Sequence, residues 1–175
     1  MMIAITGTPG TGKTHLAEEL RLRGYDVLDL NEHIKNNGLL EEKDEARDTY
    51  CVDTDALDLS LEAYRAGGMI IVEGHISHCV GCDMVIVIRC RPDTLAKRLR
   101  ERGYSEDKVR ENVQAEILDV ILCESAETGV PVFELDSSDH STEEMADMAE
   151  GIIKGNTDKY GPGNIDWTGE LEKWF

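Results

Sequence analysis

The sequence predicts an α/β fold, a five-stranded parallel sheet covered by helices on both faces. The chain opens on an apolar strand that runs without a gap into a glycine-rich loop and a helix. Strand-length apolar runs then alternate with helix-length amphipathic stretches. The runs at 69–72 and 84–88 are apolar at successive positions, as strands must be when both sheet faces are covered.

At 175 residues, with 41% hydrophobic and 31% charged residues, the chain suits one domain with a sizeable core. No apolar run approaches the roughly 20 residues of a membrane span, and the N-terminus reads as strand rather than signal peptide, so a cytoplasmic protein without a membrane partner is expected. Five cysteines, Cys51, Cys79, Cys82, Cys90 and Cys123, are an odd number outside any small secreted framework, which favours reduced thiols. Thirty-six acids against eighteen bases give a net charge of −18. Such a surface repels a nucleic-acid backbone, so direct nucleic-acid binding is not expected. It is either a solvated acidic surface or one that attracts a basic protein, and composition does not choose.

Met1 to Thr6 is the first strand. His15 to Arg23 forms a short helix with Leu16 and Leu20 on one face and Gly24 at its end. Tyr25 to Leu30 is a second strand, and Asn31 can cap a helix from Glu32 to Asn37. The polar run from Glu41 to Tyr50 reads as an exposed, mobile insertion. Asp53 opens a helix to Ala66, with Leu57, Leu61 and Tyr64 facing one way, and Gly67-Gly68 ends it. Met69 to Glu73 is an apolar strand closed by an acid, 74–82 a loop, and Met84 to Arg89 the next strand.

Pro92 at a first-turn position starts a helix through Arg102, which Gly103-Tyr104 breaks. Ser105 caps a long helix to Thr128. Gly129 to Leu135 is the last strand, where Pro131 argues for an edge position or a strand start. Ser141-x-x-Glu144 is a capping box opening a final helix to Lys154. Residues 1–154 then form the domain, and 155–175 a C-terminal extension whose Trp167, Trp174 and Phe175 pack back on it.

Gly7-Thr8-Pro9-Gly10-Thr11-Gly12-Lys13-Thr14 matches G-x-x-x-x-G-K-[ST] in full, in the strand–loop–helix context the pattern requires. Gly10 and Gly12 let backbone N–H groups converge on a phosphate. Lys13 adds positive charge, Thr14 offers a hydroxyl to Mg²⁺, and the helix that follows aims its positive end at the same place. This is the phosphate-binding loop of a nucleoside triphosphatase fold, and ATP with Mg²⁺ is the expected ligand pair.

A second acid should close a neighbouring strand beside the Mg²⁺ and its waters, and Glu73 is the acid that closes a long apolar strand. His75, two residues on, can orient a water or the transferred group. Arg98 and Arg102, four apart on one helix face, suit a lid that closes over triphosphate oxygens. Arg100 reads as a solvated partner of nearby acids, and Arg110 stays undecided. Cys79-x-x-Cys82 lacks the second ligand pair of a zinc site and the helix-start context of a redox pair, so ordinary thiols are expected.

Four stretches together resemble the archaeal and eukaryotic adenylate kinase family of isoenzyme six, kinase-like proteins that also act in maturation of the small ribosomal subunit. They are the loop from Thr6 to Thr14, Glu73-Gly74-His75, the run from Arg98 to Tyr104, and Asn112-x-Gln114-x-Glu116. The resemblance spans residues 1 to about 150. It implies a nucleoside monophosphate kinase-like fold with a short lid near 101–111 and a monophosphate segment near 29–52. It implies an ATP site at Gly10, Gly12, Lys13, Thr14, His15 and Arg102, with the loop 139–141 at the adenine. Two positions depart from the family pattern. The acid before x-His is Glu73 where the eukaryotic members have Asp, and Lys35 stands where an arginine is expected, losing bidentate phosphate binding. Arg47 is a further cation in that segment.

Three functions are open on this reading: phosphoryl transfer from Mg·ATP to AMP or another nucleoside monophosphate; ATP hydrolysis driving assembly of the pre-ribosomal small subunit; and a kinase for another small metabolite. For the second, the resemblance implies the basic small-subunit ribosomal protein eleven as partner, giving the acidic surface a role.

Overall fold

The computed structural model describes residues 1–44 and 49–175. In chain order the strands are β1 Met2–Thr6, β2 Val27–Asp29, β3 Leu40–Asp44, β4 Thr49–Val52, β5 Ile70–Glu73, β6 Met84–Arg89 and β7 Val132–Asp136. The helices are α1 Lys13–Leu22, α2 Leu30–Asn36, α3 Thr54–Ser60, α4 Glu62–Arg65, α5 Pro92–Glu101, α6 Glu106–Ile117, α7 Val120–Glu127, α8 Thr142–Ile153 and α9 Leu171–Trp174. Five strands form an all-parallel sheet in the order β2-β5-β1-β6-β7, as expected, and Pro131 does precede an edge strand.

Period-two alternation sorts the core into layers. Ile3, Ile5, Ile71, Ile86 and Ile88 point to the face covered by Leu16 and Leu20 of α1 and by Met145, Ala149 and Ile152 of α8. Met2 and Val72 turn the other way, against Leu30 and Ile34 of α2 and Leu57 of α3, while Ala4, Val85 and Val87 meet Leu122 of α7. A fourth cluster holds α5 to α6 through Leu95, Leu99, Val109 and Val113, and Trp167, Leu171 and Trp174 lie against it. The backbone carbonyl of Trp174 accepts from Gln114 Nε2 at 2.7 Å, whereas Phe175 is exposed.

Several local expectations are corrected. The second strand is shorter than Tyr25 to Leu30, and the cap of α2 is Asp29 rather than Asn31, its carboxylate accepting from the Glu32 N–H at 3.0 Å. At either end of the polar run, β3 and β4 pair antiparallel. Its expected exposure and mobility, and the side chain of Arg47, lie outside the described residues. The helix expected over 53–66 divides at Leu61, whose N–H turns to the Asp58 carbonyl, and Tyr64 is 38% exposed rather than inward. The long helix expected over 105–128 is broken at Asp119, a non-glycine residue at φ 55°.

That break has a cause. Arg89, at the C-terminal end of β6, is 1% exposed and bonds to three carboxylates. Its Nε donates to Glu116 Oε1 at 2.8 Å, and its two terminal nitrogens reach Glu134 of β7 and Asp119. Asp119 leaves the helix at this turn and presents its carboxylate to Arg89. Glu134 Oε1 also accepts from the Gly163 N–H at 2.5 Å, which ties the extension to the same centre. Replacing Arg89 by Met should leave Glu116 and Glu134 buried without their counter-charge and cost about 3–5 kcal/mol. Urea unfolding reads this as a lower midpoint at unchanged slope, and a loss below about 1 kcal/mol would count against the cluster as the joint of these elements.

Candidate active site

The loop between β1 and α1 adopts the conformation its glycines permit. Gly7 sits at φ 141°, and a Cβ there would lie 2.3 Å from the Ile88 carbonyl oxygen. Gly12, at φ 104°, leads into α1 without a side-chain cap, so the first-turn N–H groups have no side-chain acceptor and suit an anion. Lys13 folds back under the loop, its Nζ donating to the carbonyls of Gly7 at 2.8 Å and Thr8 at 3.0 Å. Burial pulls its pKa down to about 8, against the opposing charges of Glu73 and Glu116 and with a small push from Arg102.

Glu73 ends β5 beside β1, in register with Ile5, and is 3% exposed. Burial raises its carboxyl above the usual range, with Lys13 pulling the other way. Thr14 Oγ1 donates to Glu73 Oε1 at 3.4 Å, so the structure brings these two expected Mg²⁺ contacts together. Both are hard oxygen donors at the exit of the loop, a donor set that fits Mg²⁺.

Two cavities divide the remaining candidates. One, of about 390 Å³, is lined by Gly10, Gly12, His15, Arg98, Arg102 and His140 among others. The other, of about 370 Å³, is lined by Asn31, Lys35, Leu40, Val52, His75 and Ile76 among others. Arg102 acts on Lys13 from the first, and Lys13 acts on His75 in the second. His75 is exposed at its cavity, yet the surrounding protein, then Lys13 and His78, hold its imidazole below the ordinary range.

Arg98 does more than face a ligand. It donates to the Ser137 carbonyl at 3.0 Å and to Ser137 Oγ at 3.1 Å, which braces the loop after β7 against the phosphate loop. Ser137 Oγ in turn donates to the Thr11 carbonyl at 2.6 Å. Arg102 is exposed and caps the end of α5. Arg100 pairs with Glu106 at 2.8 Å and lines neither cavity described above. Cys79 is exposed, Cys82 half-buried, and burial raises both thiols, which leaves them poor nucleophiles.

Several site residues escaped the reading of the sequence. Ser137, Thr142 and Met145 line the first cavity, next to the loop 139–141 and the capping box that begins at Ser141, but no sequence signal singles them out. His78, 2% exposed, was legible only as a flank of the cysteine pair. Its Nδ1 lies 2.9 Å from Thr6 Oγ1 at the loop's entry, and its Nε2 lies 3.0 Å from Glu124 Oε2 of α7.

A parallel sheet in this order, with a complete phosphate loop after β1 and a strand-end acid beside it, defines a phosphate-loop protein of nucleotide-kinase fold. Solved structures share the fold: deoxyadenosine kinase from M. mycoides with bound dATP aligns over 89% of this chain and 100% of that one, at a TM-score of 0.56 and 16% identity. Shikimate kinase from Bacteroides thetaiotaomicron aligns over 88% and 98%, at a TM-score of 0.55 and 17% identity. The family described as an AAA domain matches residues 3–119. A protein of Archaeoglobus fulgidus named "Putative adenylate kinase" is 42% identical over 98% of this chain and 94% of its own length. One of the same name from Methanocaldococcus jannaschii is 43% identical over 100% and 96%. The chain belongs to this adenylate kinase-like family.

The environment of His78 predicts a pH effect. Burial lowers its pKa from the ordinary 6.5, only partly opposed by Glu124, so the unfolded chain takes the proton first as pH falls. Stability held by neutral His78 is therefore present above pH 6.5 and is lost as pH falls through the folded value. His78→Gln cannot titrate, so the stability difference between wild type and variant should shrink between pH 7.5 and 5. Thermal melts across that range would show it, and parallel curves would contradict it.

Proposed function

We propose that the chain transfers the γ-phosphoryl group of ATP to AMP or a related nucleoside monophosphate. The observation that carries this is a complete phosphate loop over a buried lysine, with one cavity lined by Gly10 and Gly12 of that loop and a separate one lined by His75, two residues past Glu73. The names of the relatives point the same way. In this reading ATP lies along Gly10, Gly12, Thr14 and His15, with its base towards His140. Lys13 exchanges the carbonyls of Gly7 and Thr8 for phosphate oxygens, and Arg98 and Arg102 carry charge that spreads over the phosphates in transit.

Thr14 and Glu73 would hold Mg²⁺, directly or through water. Bound there, Mg²⁺ supplies charge neutralisation at the phosphate oxygens. The segment 29–52 would take the monophosphate, with Lys35 as a point cation in its cavity. Residues 101–111 would form the short lid that excludes water. Among the described residues no helix is long and apolar enough to cross a membrane, and a cytoplasmic setting suits a nucleotide kinase.

A second reading rests on His75, which stands exposed two residues beyond Glu73 and can orient a water in place of the acceptor. The chain would then hydrolyse ATP, and its −18 charge would engage a basic partner, small-subunit ribosomal protein eleven, during maturation of the small ribosomal subunit.

One assay separates the two. ATP turnover is followed with and without AMP, scoring two ADP per ATP or one ADP plus phosphate. The kinase reading expects AMP to convert slow phosphate release into ADP pairs, and phosphate release indifferent to every monophosphate would refute it. Lys13→Met should lower ATP turnover by at least about a hundredfold in either case. His75→Ala should reduce hydrolysis more than transfer, and equal losses would remove the water-orienting role.

A further inference from the structure

Glu116 lies on α6, after the lid segment, far in sequence from the phosphate loop, yet it is 3% exposed and touches the loop. Its Oε2 accepts from Thr8 Oγ1 at 2.5 Å. Its Oε1 accepts from Arg89 Nε at 2.8 Å and from the Cys90 N–H at 3.1 Å. All three partners present donors, so the position calls for a group that only accepts, which an ionised carboxylate is.

Thr8 is one of the two loop residues, with Gly7, whose carbonyls hold Lys13. Its carbonyl accepts from Lys13 Nζ at 3.0 Å, Thr11 Oγ1 at 2.9 Å and the Thr11 N–H at 3.2 Å. Its own side chain, 3% exposed, donates to Glu116. Gripping that hydroxyl therefore sets where the Thr8 carbonyl stands, and with it the curl of the loop from Thr8 to Thr11. The same carboxylate is held from behind by Arg89, which is bonded to Glu134 and Asp119 and cannot yield easily.

We propose that Glu116 is a positioning residue of the phosphate loop, acting through Thr8, so that α6 and the loop that receives the triphosphate move as one unit. Glu116 touches no nucleotide. Its effect is felt where the phosphates bind, because a loop released from α6 must be ordered again by each incoming ATP. The inference rests on the reading of this loop as an ATP site, and on no particular acceptor.

The test is a set of loop variants, each measured for Mg·ATP affinity by calorimetry, for kcat and KM with ATP and with AMP, and for melting temperature. Thr8→Val keeps the shape and removes the donor. It should weaken ATP binding and lower kcat/KM for ATP by about tenfold, leave the KM for AMP within twofold, and restore both on Thr8→Ser. Glu116→Gln should act on the same parameters, and the double variant should be no worse than the poorer single one, because both break one link.

Thr8→Val with wild-type ATP affinity, or losses that multiply in the double variant, would overturn the proposal. Should Glu116→Gln fail to fold, the Thr8→Val and Thr8→Ser pair still decides. A lower melting temperature with unchanged ATP parameters would also overturn it, since that is what a merely structural bond gives. If the wild type itself binds no Mg·ATP, the nucleotide reading falls first, and this inference falls with it.

Discussion

The structure depends on one buried cation. Arg89 stands at the C-terminal end of the central part of the sheet, where β6 and β7 deliver their last residues, and three carboxylates from three different elements converge on it. A guanidinium buried without partners would cost several kcal/mol, and a buried carboxylate as much. Each partner is tolerable there only while the others are in place. The constraint reaches outward through bonds these groups also make: Glu116 to the phosphate loop, Asp119 to the break between α6 and α7, and Glu134 to the extension at Gly163. Through Arg89 the sheet, α6, the phosphate loop and the extension share one fixed point.

A second constraint follows from placing a lysine under a loop that must also bind phosphate. Lys13 pays for burial with a pKa of about 8, and the acids nearest it, Glu73 and Glu116, keep it from falling further. These acids stand on different elements and do different things. Glu73 faces Thr14 and the exit of the loop, while Glu116 holds Thr8. The lysine donates to the carbonyls of Gly7 and Thr8, so its charge is held beneath the phosphate loop rather than in solvent.

What was legible in the sequence is what is local. The phosphate loop is contiguous, and its glycines, lysine and threonine state their geometry through spacing alone. The parallel sheet follows from the alternation of strands and helices, while its order is seen only in the structure. Glu73 was legible because an acid closing an apolar strand is conspicuous. Arg89, Glu116 and Glu134 were not, because a charged residue at a strand or helix end looks like surface, and their pairing depends on positions 27 and 45 residues away. The break at Asp119 carries no Gly or Pro to announce it; the tertiary pull of Arg89 overrides helix propensity there. The strands β3 and β4 hid for a different reason. The Glu-, Lys- and Asp-rich sequence of β3 has no apolar alternation to announce a strand, although it pairs antiparallel with β4.

The same contrast explains how so acidic a chain can serve anionic ligands. With twice as many acids as bases, most basic side chains that reach a partner are spent on acids or carbonyls: Arg23 on Glu19 and Asp147, Arg65 on Asp58, Arg100 on Glu106, Lys173 on Asp93. Each leaves little field beyond its own pair. The cations at the phosphate loop are placed otherwise. Lys13 is held by neutral carbonyls, and Arg98 by Ser137, Thr11 and a thiol, so neither is neutralised by a direct carboxylate contact. A phosphate approaching the loop therefore meets positive charge that the surface as a whole does not have. Binding is decided within a Debye length, roughly 8 Å, of those groups. Discrimination between anions of different size then falls to the geometry of the loop itself, the part that Thr8 and Glu116 hold.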